Sequence, residues 1–532
     1  MDVFIPFTDF NVLFVIFFLV GVIASLVYSY TIYMFIPIFL FLLFQMTTEG
    51  WKLPNFFGIP IQNRIDQREI TKSISYHLPP KKRAIVSNLR GFFGVVGPDI
   101  HYTNITSLLD LFLRDGNIQG VFFEEGNLTY IKRFIRTEKA VFEEKHGVII
   151  NNMMLKMFYI GLNKLGLFPN IMGVANTAFL QMSHQSGQKD DNRPKDENRP
   201  KDENRLFVLY ERDMPYEIVV DFENKTVHTM GKVASRTLRP SFMADLNRIS
   251  AHSKWNETDS TLETIDYDIL TNRITYYKLD AHFRILRKKT VETPYLPMTH
   301  DFLSTPDKII FVNSPLEINW ANMNETYCPI SLNRAGNTTI YVLNKADLSM
   351  EIYTAPFGFF LFHYADWWEN TTHLEIYAPI HDDVNFSQFN LSGKYRKMIL
   401  DKVGKTVGFE RNIVDFESTT MEFPVPFLPS GFSSTHRRRP SQRQFLFSQN
   451  DGLMVCDGMR VVRKLPLNNR YLCGEPAIHS IGGVPYIIAF TFSKTDVAKS
   501  YLELISLHTY ERIEIPLEES LHVGFHSIFL SK

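Results

Sequence analysis

The chain has 532 residues, of which 45% are hydrophobic and 14% aromatic, with a formal net charge of -1. That length exceeds one ordinary domain, and that apolar content excludes a disordered chain. The charge balance removes any whole-chain argument for nucleic acid as a partner.

Three cysteines, Cys328, Cys456 and Cys473, show neither an even-numbered framework nor zinc-type spacing, so a reducing compartment is expected. From Phe10 to Phe44 no charged residue occurs. Such a run of roughly 35 residues would span about 52 Å as one straight helix, against a hydrocarbon core of about 30 Å. Residues 1–48 therefore read as a transmembrane anchor, either one tilted helix or two short ones turning near Tyr28–Thr31. The run lacks the basic start and the small-residue cleavage site of a signal peptide. Asp2 and Asp9 precede it and Lys52, Arg64 and Arg68 follow it, which places the domain at 49–532 on the cytoplasmic side of a lipid bilayer.

Beyond the anchor the hydrophobic period shortens to that of strands. Short apolar or alternating runs recur at 120–123, 128–131, 206–210, 217–221, 274–279, 309–312, 339–343, 359–363, 374–377, 486–492 and 501–505, with turn residues between them. So many short strands predict an all-β sandwich, barrel or propeller, and over this length a propeller is the economical choice. Two stretches interrupt the pattern. Residues 184–205 contain the repeat KDDNRP-KDENRP-KDENR, which has nothing to bury and predicts a disordered charged insertion. Asn152 to Phe168 is a helix-length stretch crowded with Leu, Met and Phe, carrying only Lys156 and Lys164 as charges; it predicts an interfacial element on the membrane.

Four histidines stand beside strand-like runs: His252, His300 in the Thr-His-Asp segment before Ile309–Val312, His363, and His526 near the chain end. Only a closed radial structure brings residues so far apart to one point. The other histidines, such as His228, His373 and His381, read as surface residues. The chain is similar to the carotenoid cleavage oxygenase family, which also contains the retinal pigment epithelium retinoid isomerohydrolase. The resemblance rests on ordered blocks from Gly91 to the end. They are Asp115-Gly116-Asn117-Ile118, the run Asn127–Thr137, Val174–Ala178, Leu209-Tyr210-Glu211, the four histidine blocks, Glu422-Phe423-Pro424 and Gly474-Glu475-Pro476.

The resemblance implies a seven-bladed β-propeller with a helical cap and one Fe(2+) bound by His252, His300, His363 and His526. It also implies that Glu211, Glu422 and Glu475 accept the far ring N–H of three of these imidazoles, orienting them and making them better donors. Four neutral imidazoles leave two octahedral positions open for O2 or substrate. The expected activity is iron-dependent oxidative cleavage of a double bond in a carotenoid, apocarotenoid or related polyene using O2. The alternatives are isomerohydrolase-like chemistry on the same iron and a non-catalytic, membrane-tethered propeller scaffold. The chain departs from the family pattern at Ser253, at Asp366 where an Asn is usual, and in lacking, within Gly94–Pro98, the Arg common before the Gly-Pro pair.

Overall fold

The structure, a computed structural model, describes residues 69–100, 108–146, 163, 170, 172–182, 204–233, 246–319, 330–384, 393–410, 420–427, 443–449 and 452–532. The expected anchor and, apart from Asn163, the apolar stretch 152–168 lie outside the described residues. Among the described residues no helix is long and apolar enough to cross a membrane. The chain divides into two compact units. One comprises Met1–Asp66 and Glu138–Ile171, and the other Gln67–Thr137 and Met172–Lys532.

The larger unit is an all-β, seven-bladed propeller. Its blades are antiparallel sheets in chain order. The first joins Ile70–Ile74, Asn127–Phe134, Gly116–Glu124 and Gly91–Pro98, and the C-terminal strand Ser527–Ser531 adds to its edge along Gly91–Val95. The second runs Ala178–Leu180, Arg205–Leu209, Tyr216–Asp221, Thr226–Lys232; the third Lys254–Asn256, Thr261–Asp268, Arg273–Asp280, Ile285–Glu292. The fourth runs Leu303–Ser304, Lys308–Asn313, Thr338–Asn344, Met350–Ala355; the fifth Phe360–Leu361, His373–His381, Lys394–Asp401, Val407–Glu410. The sixth runs Glu422–Phe427, Gln444–Gln449, Gly452–Asp457, Arg460–Pro466; the seventh Arg470–Leu472, Val484–Ser493, Ser500–Ser506, Arg512–Pro516.

The ring is held by apolar cores between neighbouring blades. Blade one packs on blade two through Phe122 and Ile218, two on three through Leu209 and Leu262, and three on four through Ile265 and Phe311. The series continues through Val342 and Ile376, Tyr395 and Phe447, and Val455 and Ile487. It closes between blades seven and one, where the Phe93 and Phe490 rings meet edge to face at 4.9 Å. Because a middle strand faces a neighbouring blade on each side, Gly116–Glu124 is buried along all but its last residue. The outermost strand Ile285–Glu292 is exposed over Leu286–Thr290 and carries Arg287, Lys288 and Lys289, charges that block pairing with another sheet edge.

Two expectations are corrected here. The charged insertion ends before Arg205, which opens a strand, is 8% exposed and ion-pairs with Glu217 at 2.6 Å. A long side chain enters a sheet interior once its charge is matched. The expected strand 359–363 is reduced to Phe360–Leu361, which pairs with Ile380 and His381, so His363 lies beyond its end. Three short helices have described bounds, Pro80–Ser87, Leu108–Leu113 and Glu138–His146.

Candidate metal centre

Three of the four candidate ligands precede a short first or edge strand: His252 before Lys254–Asn256, His300 before Leu303–Ser304, and His526 before Ser527–Ser531. His363 follows Phe360–Leu361. Leaving the sheet at one end of each blade frees these side chains from the alternation of the strand and lets four separate segments meet. They do meet: each offers a ring nitrogen, and these atoms all lie within 4.8 Å of one another. The Nε2 atoms of His252 and His300 are 2.9 Å apart. Ring centroids are 4.5 Å apart for His252–His300, 4.6 Å for His252–His526 and 5.1 Å for His363–His526, with planes crossed at 65–79°.

Three rings are fixed from behind. His300 Nδ1 lies 2.6 Å from Glu211, His363 Nδ1 2.8 Å from Glu422, and His526 Nδ1 3.1 Å from Glu475. A carboxylate on Nδ1 requires that nitrogen to carry the proton, which leaves Nε2 a bare lone pair. His363 Nε2 is buried and has no hydrogen-bond partner among the described residues. A buried acceptor without a partner is costly, and a metal ion between the four rings would satisfy it. Ligands about 2.1 Å from one ion have neighbouring nitrogens about 3 Å apart, as His252 and His300 do. The donor set therefore fits a single transition-metal ion of imidazole preference.

The electrostatics favour neutral rings at His252 and His363 and the opposite at His300. Burial, then the neighbouring His300, His526 and His363, hold His252 well below the ordinary imidazole range, in the neutral form that a metal needs. Burial also lowers His363, against the pull of Glu422. For His300 burial acts downward too, but the charge and hydrogen bond of Glu211 prevail and raise it. Burial would lift Glu422, yet hydrogen bonds from His363 and His381 bring it down to about 2.

Local backbone devices place these groups. Phe423 has φ +53° beside an irregularity in pairing between Glu422 and Val425, and its ring lies 5.2 Å from His363 and 5.3 Å from His526. The left-handed turn thus delivers Glu422 and its neighbour's ring to the same imidazole. Gly474, at φ +82°, precedes Glu475, whose N–H donates to Phe525 O at 2.7 Å.

The seven expected site residues lie together, and the structure adds His381, which the sequence reading placed on the surface. His381, expected on the surface, is 1% exposed and its Nε2 is 2.5 Å from Glu422 Oε1. The only sequence signal for it is its place at the end of the apolar strand His373–His381. His522 is also buried, with Nε2 2.7 Å from Lys132 Nζ and Nδ1 3.0 Å from Asp99. Asp301, next to His300, pairs with Lys254 at 2.7 Å.

A closed propeller with four inward imidazoles, three backed by carboxylates, offers a metal ion an all-nitrogen site. The model of the retinal pigment epithelial membrane protein family matches residues 84–426, and the chain belongs to that family. It is similar to carotenoid 9,10(9′,10′)-cleavage dioxygenase 1 of Arabidopsis thaliana, 26% identical over 53% of this chain and 50% of that one. It is also similar to carotenoid cleavage oxygenase 1 of Neurospora crassa, 24% identical over 44% and 38%. The chain thus spans about half or less of the length of these curated relatives. A cobalt-substituted apocarotenoid oxygenase from Synechocystis shares the fold, with a TM-score of 0.61, 16% identity and coverage of 88% of this chain and 97% of that one.

Proposed function

We propose that this protein is an iron-dependent oxygenase that cleaves a double bond of a carotenoid or apocarotenoid with O2. The observation that carries the reading is the convergence of His252, His300, His363 and His526 with carboxylates on Nδ1 of three of them. Iron held there supplies one-electron and dioxygen chemistry that no side chain offers. The chain's own groups do the rest. Glu211, Glu422 and Glu475 accept the Nδ1–H of their imidazoles and so hold the tautomer with Nε2 directed inward. Phe362, 5.5 Å from the His300 ring, and Phe423 form apolar walls on the imidazoles, suited to a hydrocarbon and unfavourable to water.

A polyene of this kind is nearly insoluble in water, and the uncharged run Phe10–Phe44 supports a membrane-anchored enzyme with a cytoplasmic catalytic domain that takes substrate from the bilayer.

The test is the full chain purified anaerobically, assayed for metal and supplied with apocarotenoids in detergent under 18O2. One iron per chain and labelled aldehyde are expected, both lost in His300→Ala. Turnover that continues without O2 would replace cleavage by isomerohydrolase-like chemistry, and a chain that retains no iron would overturn the metal assignment.

A further inference from the structure

Glu422 carries more than its ligand histidine. The carboxylate is 3% exposed. Its Oε2 accepts from His363 Nδ1 at 2.8 Å and from the Phe423 N–H at 3.1 Å. Its Oε1 lies 2.5 Å from Nε2 of His381. Neither Glu211 nor Glu475 faces a second imidazole among the described residues.

The position of His381 is built around this contact. The residue ends the strand His373–His381, pairs with Phe360, and has the Phe362 ring edge-on at 5.1 Å. A Cβ on Gly393 would fall 2.8 Å from His381 Nε2 and 2.7 Å from Met421 O. Only glycine at 393 leaves room for the imidazole to reach the carboxylate.

We propose that His381 is a positioning residue of the metal centre, acting through Glu422 on His363. This rests on reading the four imidazoles as a metal site. With the His381 N–H on one oxygen and the His363 N–H on the other, Glu422 cannot rotate without leaving a buried donor unpaired. Its plane then sets the plane of His363 and the direction of Nε2. A carboxylate that shares its charge between two imidazoles also pulls less on either. His363 therefore gains less electron density from Glu422 than it would from a carboxylate of its own.

The test compares full-length wild type with His381→Gln, which keeps an N–H donor, and His381→Leu, which has none. In metal-free, 15N-histidine-labelled protein, His363 should be the Nδ1–H tautomer in wild type and in the glutamine variant, and a tautomer mixture in the leucine variant. Titration with Co(II) should show affinity about 10- to 100-fold weaker in the leucine variant, with an altered visible spectrum, and near wild type in the glutamine variant.

A leucine variant that melts earlier but keeps the His363 tautomer and Co(II) affinity would reduce His381 to a packing role and overturn the proposal. If that variant does not fold, Gly393→Ala, which pushes the imidazole off Glu422, takes the same readouts and decides in the same way. Wild-type protein that binds no Co(II) would defeat the metal-centre reading, while the tautomer comparison would still decide whether His381 governs His363.

Discussion

Asp366 shows how much one residue's setting can differ from what its neighbours in sequence suggest. It lies three positions after His363, where the family usually has Asn, and it is 3% exposed. Its Oδ1 accepts from Arg443 at 2.7 Å and from the Trp367 N–H at 2.8 Å, while Oδ2 is buried with no hydrogen-bond partner among the described residues. The carboxylate is thus neither solvent-facing nor satisfied. Burial pushes it up from 3.8 to about 6, with Arg443 opposing. A carboxyl raised on folding contributes stability that is full below the unfolded value and lost as pH rises through the folded one. The window is pH 4 to 6. Asp366→Asn cannot ionise, so it should exceed wild type in stability by up to about 3 kcal/mol at pH 7.5 and lose that lead near pH 4. That figure already includes the opposing pull of Arg443. Urea melts across the range check it; a constant difference at every pH would show that Asp366 titrates normally.

At the scale of elements, the site depends on segments meeting more closely than side chains allow. A Cβ on Gly524 would lie 2.4 Å from Val95 Cγ1 and 3.0 Å from Cys473 O, between the segment that carries His526 and the one that carries Glu475. Those segments are tied by the Glu475 N–H to Phe525 O at 2.7 Å, and the Phe525 N–H donates to Val96 O of Gly91–Pro98 at 2.8 Å. Gly524→Ala should therefore move His526 off Glu475. We expect a loss of about 1–3 kcal/mol from overpacking, together with reduced iron content. Adding Val95→Ala removes the nearest obstructing atom and should restore part of both. Iron analysis and thermal melts of the single and double variants test this, and a double variant no better than the single would place the clash elsewhere.

For the whole molecule, closure and chemistry are one event. The last strand, Ser527–Ser531, pairs with Gly91–Val95, so the ring is completed by the segment that brings in the fourth histidine. All four candidate ligands lie between residues 252 and 526, far along the chain from the expected anchor. Deleting residues 1–48 should leave a folded, iron-binding propeller, read by circular dichroism and metal content. If the Asn152–Phe168 stretch is interfacial, its Leu, Met and Phe side chains contribute about 1.5–3 kcal/mol each on leaving water, enough for residual liposome affinity. Met157→Glu with Phe158→Glu should then abolish that affinity without loss of iron. Truncated protein that ignores liposomes would leave targeting to the anchor alone.

Much of this was legible in the residues. Strand density and turn spacing point to an all-β ring because short apolar runs bounded by turn residues are a local signal, and Ile309–Val312 or Tyr486–Phe492 carry it without help from the fold. The ordered blocks carrying His252, His300, His363, His526, Glu211, Glu422 and Glu475 were likewise visible, since each lies in its own recognisable run. What tertiary structure decided are pairings across long separations. His381 looks like any polar strand end until blade five meets blade six and sets it against Glu422, 41 residues on. Asp366 looks solvated until Arg443, 77 residues away, reaches it in a buried site. Hydrophobic period reports which face of an element is buried; which charge or imidazole waits there depends on chain closure, and closure is a property of the whole ring.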